Sequence, residues 1–281
     1  MEFSEKFVAF VDVLGFKGMV EASEAGQGKS LSEILEYLAI LGATEDEQKM
    51  RRNGTFCPES QCKRTDLDFK ITQISDCVIV SSELSPKGLI NLIGHCWASV
   101  TELLTKGIMC RGYVTKGNVH HEDSQVIGTA YQQAFASESR VSAFKIDADE
   151  YGTPFVEVDP SVCEFVSASK DRCIQEMFSR MTKTEEGTTA LFPFQAFSHS
   201  FSIGGFGSQF DADKELKSNE NMREQIILLK DRLSAHVDPS NDRAVKKLRH
   251  YIKALDAQIT VCDQTEEMIR DLCKPFPNRP N

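Results

Sequence analysis

With 281 residues, 41% of them hydrophobic and 26% charged, the chain can bury a full core as one large domain or one domain with an appendage. A formal charge of −10 argues against general nucleic-acid binding, which grips phosphate backbones with clustered Lys and Arg, but leaves room for a metal-bound triphosphate. Nine cysteines scattered through apolar patterns, no basic leader and no run of about 18 apolar residues point to a reduced, cytoplasmic protein, neither secreted nor membrane-spanning.

Residues 7–16, FVAFVDVLGF, predict a strand that delivers Asp12 directly before a helix start at Leu14-Gly15-Phe16. Residues 15–22 and 31–41 space their apolar side chains as helices, with Ser30 or Ser32 as cap. Residues 44–66 turn polar and charged around Asn53-Gly54 and read as a surface insertion. Residues 68–74 and 77–81 are β-rich and meet at Ser75-Asp76, a hairpin whose tip carries a second acid. A helix follows over 89–104, a strand over 108–117, a helix over 127–140 and a strand over 143–146. Strand, helix, two strands, helix, strand is the order of a ferredoxin-like α/β (α+β) unit. Residues 155–158 and the Phe-rich run 192–210 finish or flank it, the latter as core or interface packing. Amphipathic helices over 221–233 and 244–262, around a turn at Pro239, predict a C-terminal helical extension that packs on its own domain or on a partner copy. The expected division is a catalytic domain over 1–210 and the extension over 211–281.

Two acids at neighbouring strand ends in an apolar setting suit a pair of divalent metals, which clamp the attacking and leaving oxygens of a phosphoryl displacement. A lone Asp at a strand end is usually a cap or turn residue, and Gly15 alone is a weak signal. Their weight comes from standing together. Arg111, in a strand, is a partner for a surface acid or a contact to a base or phosphate; Lys116 reads as a solvated strand end. His120-His121 and the pair Cys57 and Cys62 lack a second matched pair at zinc spacing and read as structural.

FVAFVDVLGF, ISDCVIVSS, RGYVTKGNVHH and GTAYQQAFASES, in that order over residues 5–150, resemble the class III nucleotidyl cyclases, nearest to the bacterial antiphage pyrimidine cyclases of the Pycsar type. The resemblance implies that Asp12 and Asp76 bind two Mg²⁺ or Mn²⁺ ions, that Val13 adds a backbone carbonyl, and that two chains pair head to tail as a homodimer with shared sites. The amides of Leu14, Gly15 and Phe16 then sit where a helix N-terminus receives the β- and γ-phosphates. Base-reading positions fall on Thr72 and Gln125. The helix residues that steady the transition state fall on Gln132 and, where an arginine is usual, Ala136; Arg140 is the candidate replacement. Thr72 and Gln125 are neutral where purine cyclases carry charge, which implies UTP as substrate and cyclic UMP as an antiphage second messenger read by a separate effector protein. A Gln presents either its carbonyl or its amide, so CTP is the alternative. Two other readings stand beside it. The missing arginine fits a catalytically weak nucleotide-binding module, and the two acids fit a polymerase-type palm, against which the absent basic groove counts.

Overall fold

The computed structural model describes residues 2–42, 66–122, 125–194 and 211–272. Strand β1 (Ser4–Val13) divides its side chains between two cores by simple alternation. Phe7, Ala9, Val11 and Val13 enter one cluster, and Val8 and Phe10 the other. A strand covered on both faces needs an unbroken apolar run, which FVAFV supplies. Asp12 is the next even-numbered residue after Phe10, so its carboxylate leaves the sheet on the Val8–Phe10 face, at the strand's end.

β1 pairs antiparallel with β3 (Cys77–Glu83) and β4 (Cys110–Glu122). β2 (Phe69–Ile74) joins β3 through the two-residue turn Ser75–Asp76, with Ile74 opposite Cys77 and Ser75 left-handed at φ 54°. The order β2-β3-β1-β4 is the expected ferredoxin-like arrangement. Beyond β4 the sheet continues through β6 (Val156–Val158), parallel to it, then β8 (Thr188–Leu191) and β7 (Thr182–Glu185), while β5 (Gln125–Ile127) folds back on the end of β4. This mixed α/β sheet has eight strands among the described residues.

Helices α1 (Phe16–Glu24), α2 (Leu31–Gly42) and α3 (Pro86–Thr105) cover the Phe7 face. α3 opens with the Ser85 side chain accepting the Gly88 amide at 3.0 Å and Pro86 in its first turn, a strong start signal. α4 (Thr129–Glu138) packs on the opposite face of β1 and β4. α5 (Pro160–Ala168) and α6 (Arg172–Met181), unassigned in the sequence reading, are each capped by an aspartate, Asp159 and Asp171, accepting an amide at 2.9 Å. The C-terminal pair α7 (Ala212–Ala235) and α8 (Asp242–Leu272) buries Leu229, Leu233, Tyr251 and Leu255 against Met109, Tyr113, Phe155, Phe192 and Phe194. No helix among the described residues is long and apolar enough to cross a membrane.

Residues 143–146 do not form the expected strand. Glu157 accepts the Ser142 and Ala143 amides at 2.7 and 2.9 Å, Thr153 donates to the Ala143 carbonyl at 2.7 Å, and Phe144 is left-handed, so side chains take the bonds a ladder would use. Cys173 is disulfide-bonded, against the expectation of free thiols that Cys77, Cys96, Cys110, Cys163 and Cys262 meet. The polar insertion up to residue 65, Cys57, Cys62 and the Phe-rich run after Phe194 lie outside the described residues.

Candidate functional site

Asp12 stands opposite Cys77 in the β1–β3 ladder, so Asp76, one residue earlier at the hairpin tip, lies beside it. Val13 donates its amide to the Asp76 carbonyl at 3.1 Å and ties the two strand ends together. Burial, then the charges of Asp76 and Glu138, push the Asp12 carboxyl up to about 7, while Arg111 and Lys247 pull it down. Burial and the same two aspartates raise the Cys77 thiol to about 11. Buried like charges that hold a carboxyl near neutrality describe a site short of positive charge.

Arg111 faces Asp12 from β4. Its Nε donates to Glu138 Oε1 in the last turn of α4, and its Nη1 to the Gly152 carbonyl at 3.4 Å. The guanidinium is therefore already occupied by protein groups. Gly152 is left-handed at φ 72°, a backbone that strains any side chain, and its carbonyl is the one Arg111 reaches.

Gly15 caps α1 in the left-handed region, at φ 78°. The expectation that three successive amides face a phosphate needs correction: Leu14 donates its amide to the Met109 carbonyl at 2.9 Å, and its side chain packs with the C-terminal helices. The amides of Gly15 and Phe16 donate to no protein acceptor among the described residues and sit at the positive end of α1.

Thr72 is buried, its hydroxyl 2.8 Å from His121 Nε2, and His121 Nδ1 is 2.8 Å from Ser81 Oγ. Burial, with help from Lys6 and Lys70, depresses His121 to about 4, so the ring is neutral at pH 7. His121, expected from the sequence to be structural rather than a metal ligand, has partners that only the fold of β4 beyond Gly117 brings to it, on β2 and β3. Gln125 is exposed opposite Glu122 in β5, and Gln132, Ala136 and Arg140 are exposed on or just after α4. Lys116 lies 3.9 Å from Glu5, and His120 3.9 Å from Glu122. Asp12, Val13, Asp76 and Arg111 are thus brought together within one chain, whereas Thr72 is engaged by His121 and Gln125 and Gln132 face solvent.

No family model matches the chain, and no curated protein sequence does. Among solved structures, the chain is similar to the catalytic core of a rhodopsin-guanylyl cyclase with converted specificity in complex with ATPαS. The identity is 14% and the TM-score 0.38, over 60% of this chain and 83% of that one. At that level the likeness carries no functional weight.

Among the described residues no group of three or more His, Cys, Asp or Glu converges as a metal cluster. The donors brought together are the Asp12 and Asp76 carboxylates, hard oxygens of the kind Mg²⁺ or Mn²⁺ takes together with water and phosphate. With Glu138 paired to Arg111, the elevated Asp12 carboxyl is the group a cation would relieve. The residues therefore fit such an ion.

Proposed function

We propose that the chain is a nucleotidyl cyclase that converts UTP to 3′,5′-cyclic UMP and pyrophosphate. The observation that carries this reading is the Asp12–Asp76 pair, fixed across the Val13–Asp76 hydrogen bond beside a left-handed glycine and two unspent amides. In the reaction the ribose 3′-oxygen bonds to the α-phosphorus as the bond to the bridging β-oxygen breaks. The 3′-hydroxyl proton passes to water and pyrophosphate leaves.

Two Mg²⁺ or Mn²⁺ ions on Asp12, Asp76 and the Val13 carbonyl would acidify the 3′-hydroxyl and draw charge from the triphosphate. The Gly15 and Phe16 amides would receive phosphate oxygens. Holding both reacting ends of one molecule in line supplies most of the acceleration.

The pyrimidine preference rests on the neutrality of Thr72, its partner His121, and Gln125. Because His121 stays neutral at pH 7, its tautomer decides whether Thr72 donates or accepts. Cyclic CMP from CTP is the alternative product. Support for a head-to-tail homodimer comes from the Val8–Phe10 face, where Ile74 and Phe135 remain 53% and 57% exposed and Gln132 points to solvent. The roles of cyclic UMP as an antiphage messenger and of a separate effector rest on the sequence resemblance. A catalytically weak nucleotide-binding module is the second reading, favoured by Ala136 where a transition-state arginine would stand.

Incubating the protein with each of the four NTPs and Mn²⁺, with mass spectrometry of the products, tests the assignment. Cyclic UMP is the expected product; nucleotide binding without any cyclic product would replace the cyclase with the binding module.

A further inference from the structure

Helix α8 is pinned to the acid end of the sheet by its buried stripe. His250 places Nδ1 3.1 Å from the Phe144 carbonyl and Nε2 2.8 Å from Glu150. Tyr251, fully buried, donates to the Pro154 carbonyl and packs on Phe155 and Phe194. These anchors fix both the rotation and the height of the helix. Leu14, two residues beyond Asp12, packs against the same core cluster that holds Tyr251 and Leu255, so the β1–α1 turn and α8 share one core.

Lys247 lies one turn before Tyr251 and Arg243 one turn earlier still, on the same face. Lys247 is half-buried and makes no hydrogen bond or ion pair with any described residue. Burial, then Arg111, depresses its ammonium, while Glu138 and Asp12 raise it. A lysine with a long flexible stem ordinarily carries its charge out to water or onto a carboxylate. Here the anchored helix keeps it beside Asp12, Arg111 and Glu138 without pairing it, as expected of a cation whose counter-ion is a ligand. With divalent ions neutralising Asp12 and Asp76, the group left for Lys247 to attract is the anion that accompanies them.

We propose that the C-terminal helical pair delivers Lys247 into the site in cis as a phosphate-binding residue, closing over the triphosphate that the Gly15 and Phe16 amides receive from the other side. This rests on the nucleoside-triphosphate reading above and assigns the C-terminal helices a share in the site. Arg243, more exposed, lies one turn before Lys247 on the same face of the helix.

The test is calorimetric binding of inorganic tripolyphosphate, with Mn²⁺, to the full chain and to Lys247→Gln and Lys247→Arg. Lys247→Gln should weaken binding by about tenfold or more, the order set by one charge-assisted hydrogen bond. Lys247→Arg should retain most of it, and uridine binding should be unchanged in both. If Lys247→Gln melts lower than wild type, rescue of binding by Lys247→Arg still supports a charge role. Tripolyphosphate affinity within about twofold of wild type in a folded Lys247→Gln, or no binding by wild type, overturns the inference. Lys247-dependent tripolyphosphate binding with no cyclic product from any NTP would sink the cyclase and leave this inference standing. Turnover equal in wild type and Lys247→Gln would sink this inference alone.

Discussion

Asp12→Asn should stabilise the metal-free fold while removing its response to metal. The folded carboxyl titrates near 7 against an ordinary 3.8, because burial and then Asp76 and Glu138 oppose its charge. Since the folded pKa lies above the unfolded one, the native state binds more protons between these values. Stability therefore falls as pH rises through that window and the penalty is complete above it. Three units correspond to about 4 kcal/mol at full strength. Asp12 is only partly buried, and screening cuts this to about 2 kcal/mol. Asparagine keeps the shape and removes the charge, so at pH 8 in EDTA the variant should melt about 4–6 °C above wild type. Saturating Mn²⁺ should raise the wild-type Tm and leave the variant flat, since only a ligand that prefers the native state shifts the midpoint. Cyclase turnover should be lost. A lower Tm for the variant in EDTA, or an undiminished Mn²⁺ shift, would refute the placement of a charge-starved metal ligand at residue 12.

Asp76→Ala should lose cyclisation while keeping its circular dichroism and its oligomeric state; activity within about tenfold of wild type would count against the two-metal assignment. Mixing inactive Asp76→Ala and Gln132→Ala chains should restore part of the activity if each site draws on both subunits, and no recovery after proven subunit exchange would rule out sharing. UTP should exceed ATP and GTP by about a hundredfold in kcat/KM, roughly 2.7 kcal/mol at the transition state, through polar groups the wrong base leaves unpaired. Equal turnover of a purine would leave only the broader cyclase reading. His121 is held neutral in the fold down to about 4 but protonates near 6.5 when unfolded. Its contribution to stability is intact above 6.5 and falls by up to about 3 kcal/mol toward pH 4. Urea midpoints at pH 7 and 4.5 should diverge more in wild type than in His121→Asn, and parallel behaviour would contradict the buried neutral ring.

The ferredoxin-like core was legible because each of its elements carries its own signal. FVAFV reads as an apolar strand, which the structure covers on both faces, and the alternation that sorts Phe7 from Val8 also aims Asp12. The β2–β3 hairpin showed itself by two β-rich runs around Ser75-Asp76. Residues 160–191 went unread although Asp159-Pro160 and Asp171 are ordinary helix starts, because the helices are short and the two strands after them have four residues each. The strand expected at 143–146 failed because the carboxylate of Glu157, ten and more residues downstream, accepts the Ser142 and Ala143 amides, a partner no local pattern displays. The site's polar neighbours were the least visible. Nothing near Thr72 announces His121, and Lys247 sits in a helix whose charged surface looks like any solvated face until Tyr251 fixes which way it turns.

The central strand also shapes how the chain must be made. β1 is synthesised before both of its partners, residues 77–83 and 110–122. At ribosomal rates of about 5–20 residues per second, FVAFV waits several seconds without a neighbour on either edge, as an adhesive segment. The charges that interrupt such a segment are Glu5 and Lys6 before it and Asp12 after it, in the positions where gatekeepers suppress aggregation. The acid at residue 12 thus guards the nascent chain and strains the finished one. A variant lacking it gains in the folded protein and loses in the yield of soluble chains, so expression level and melting temperature move in opposite directions.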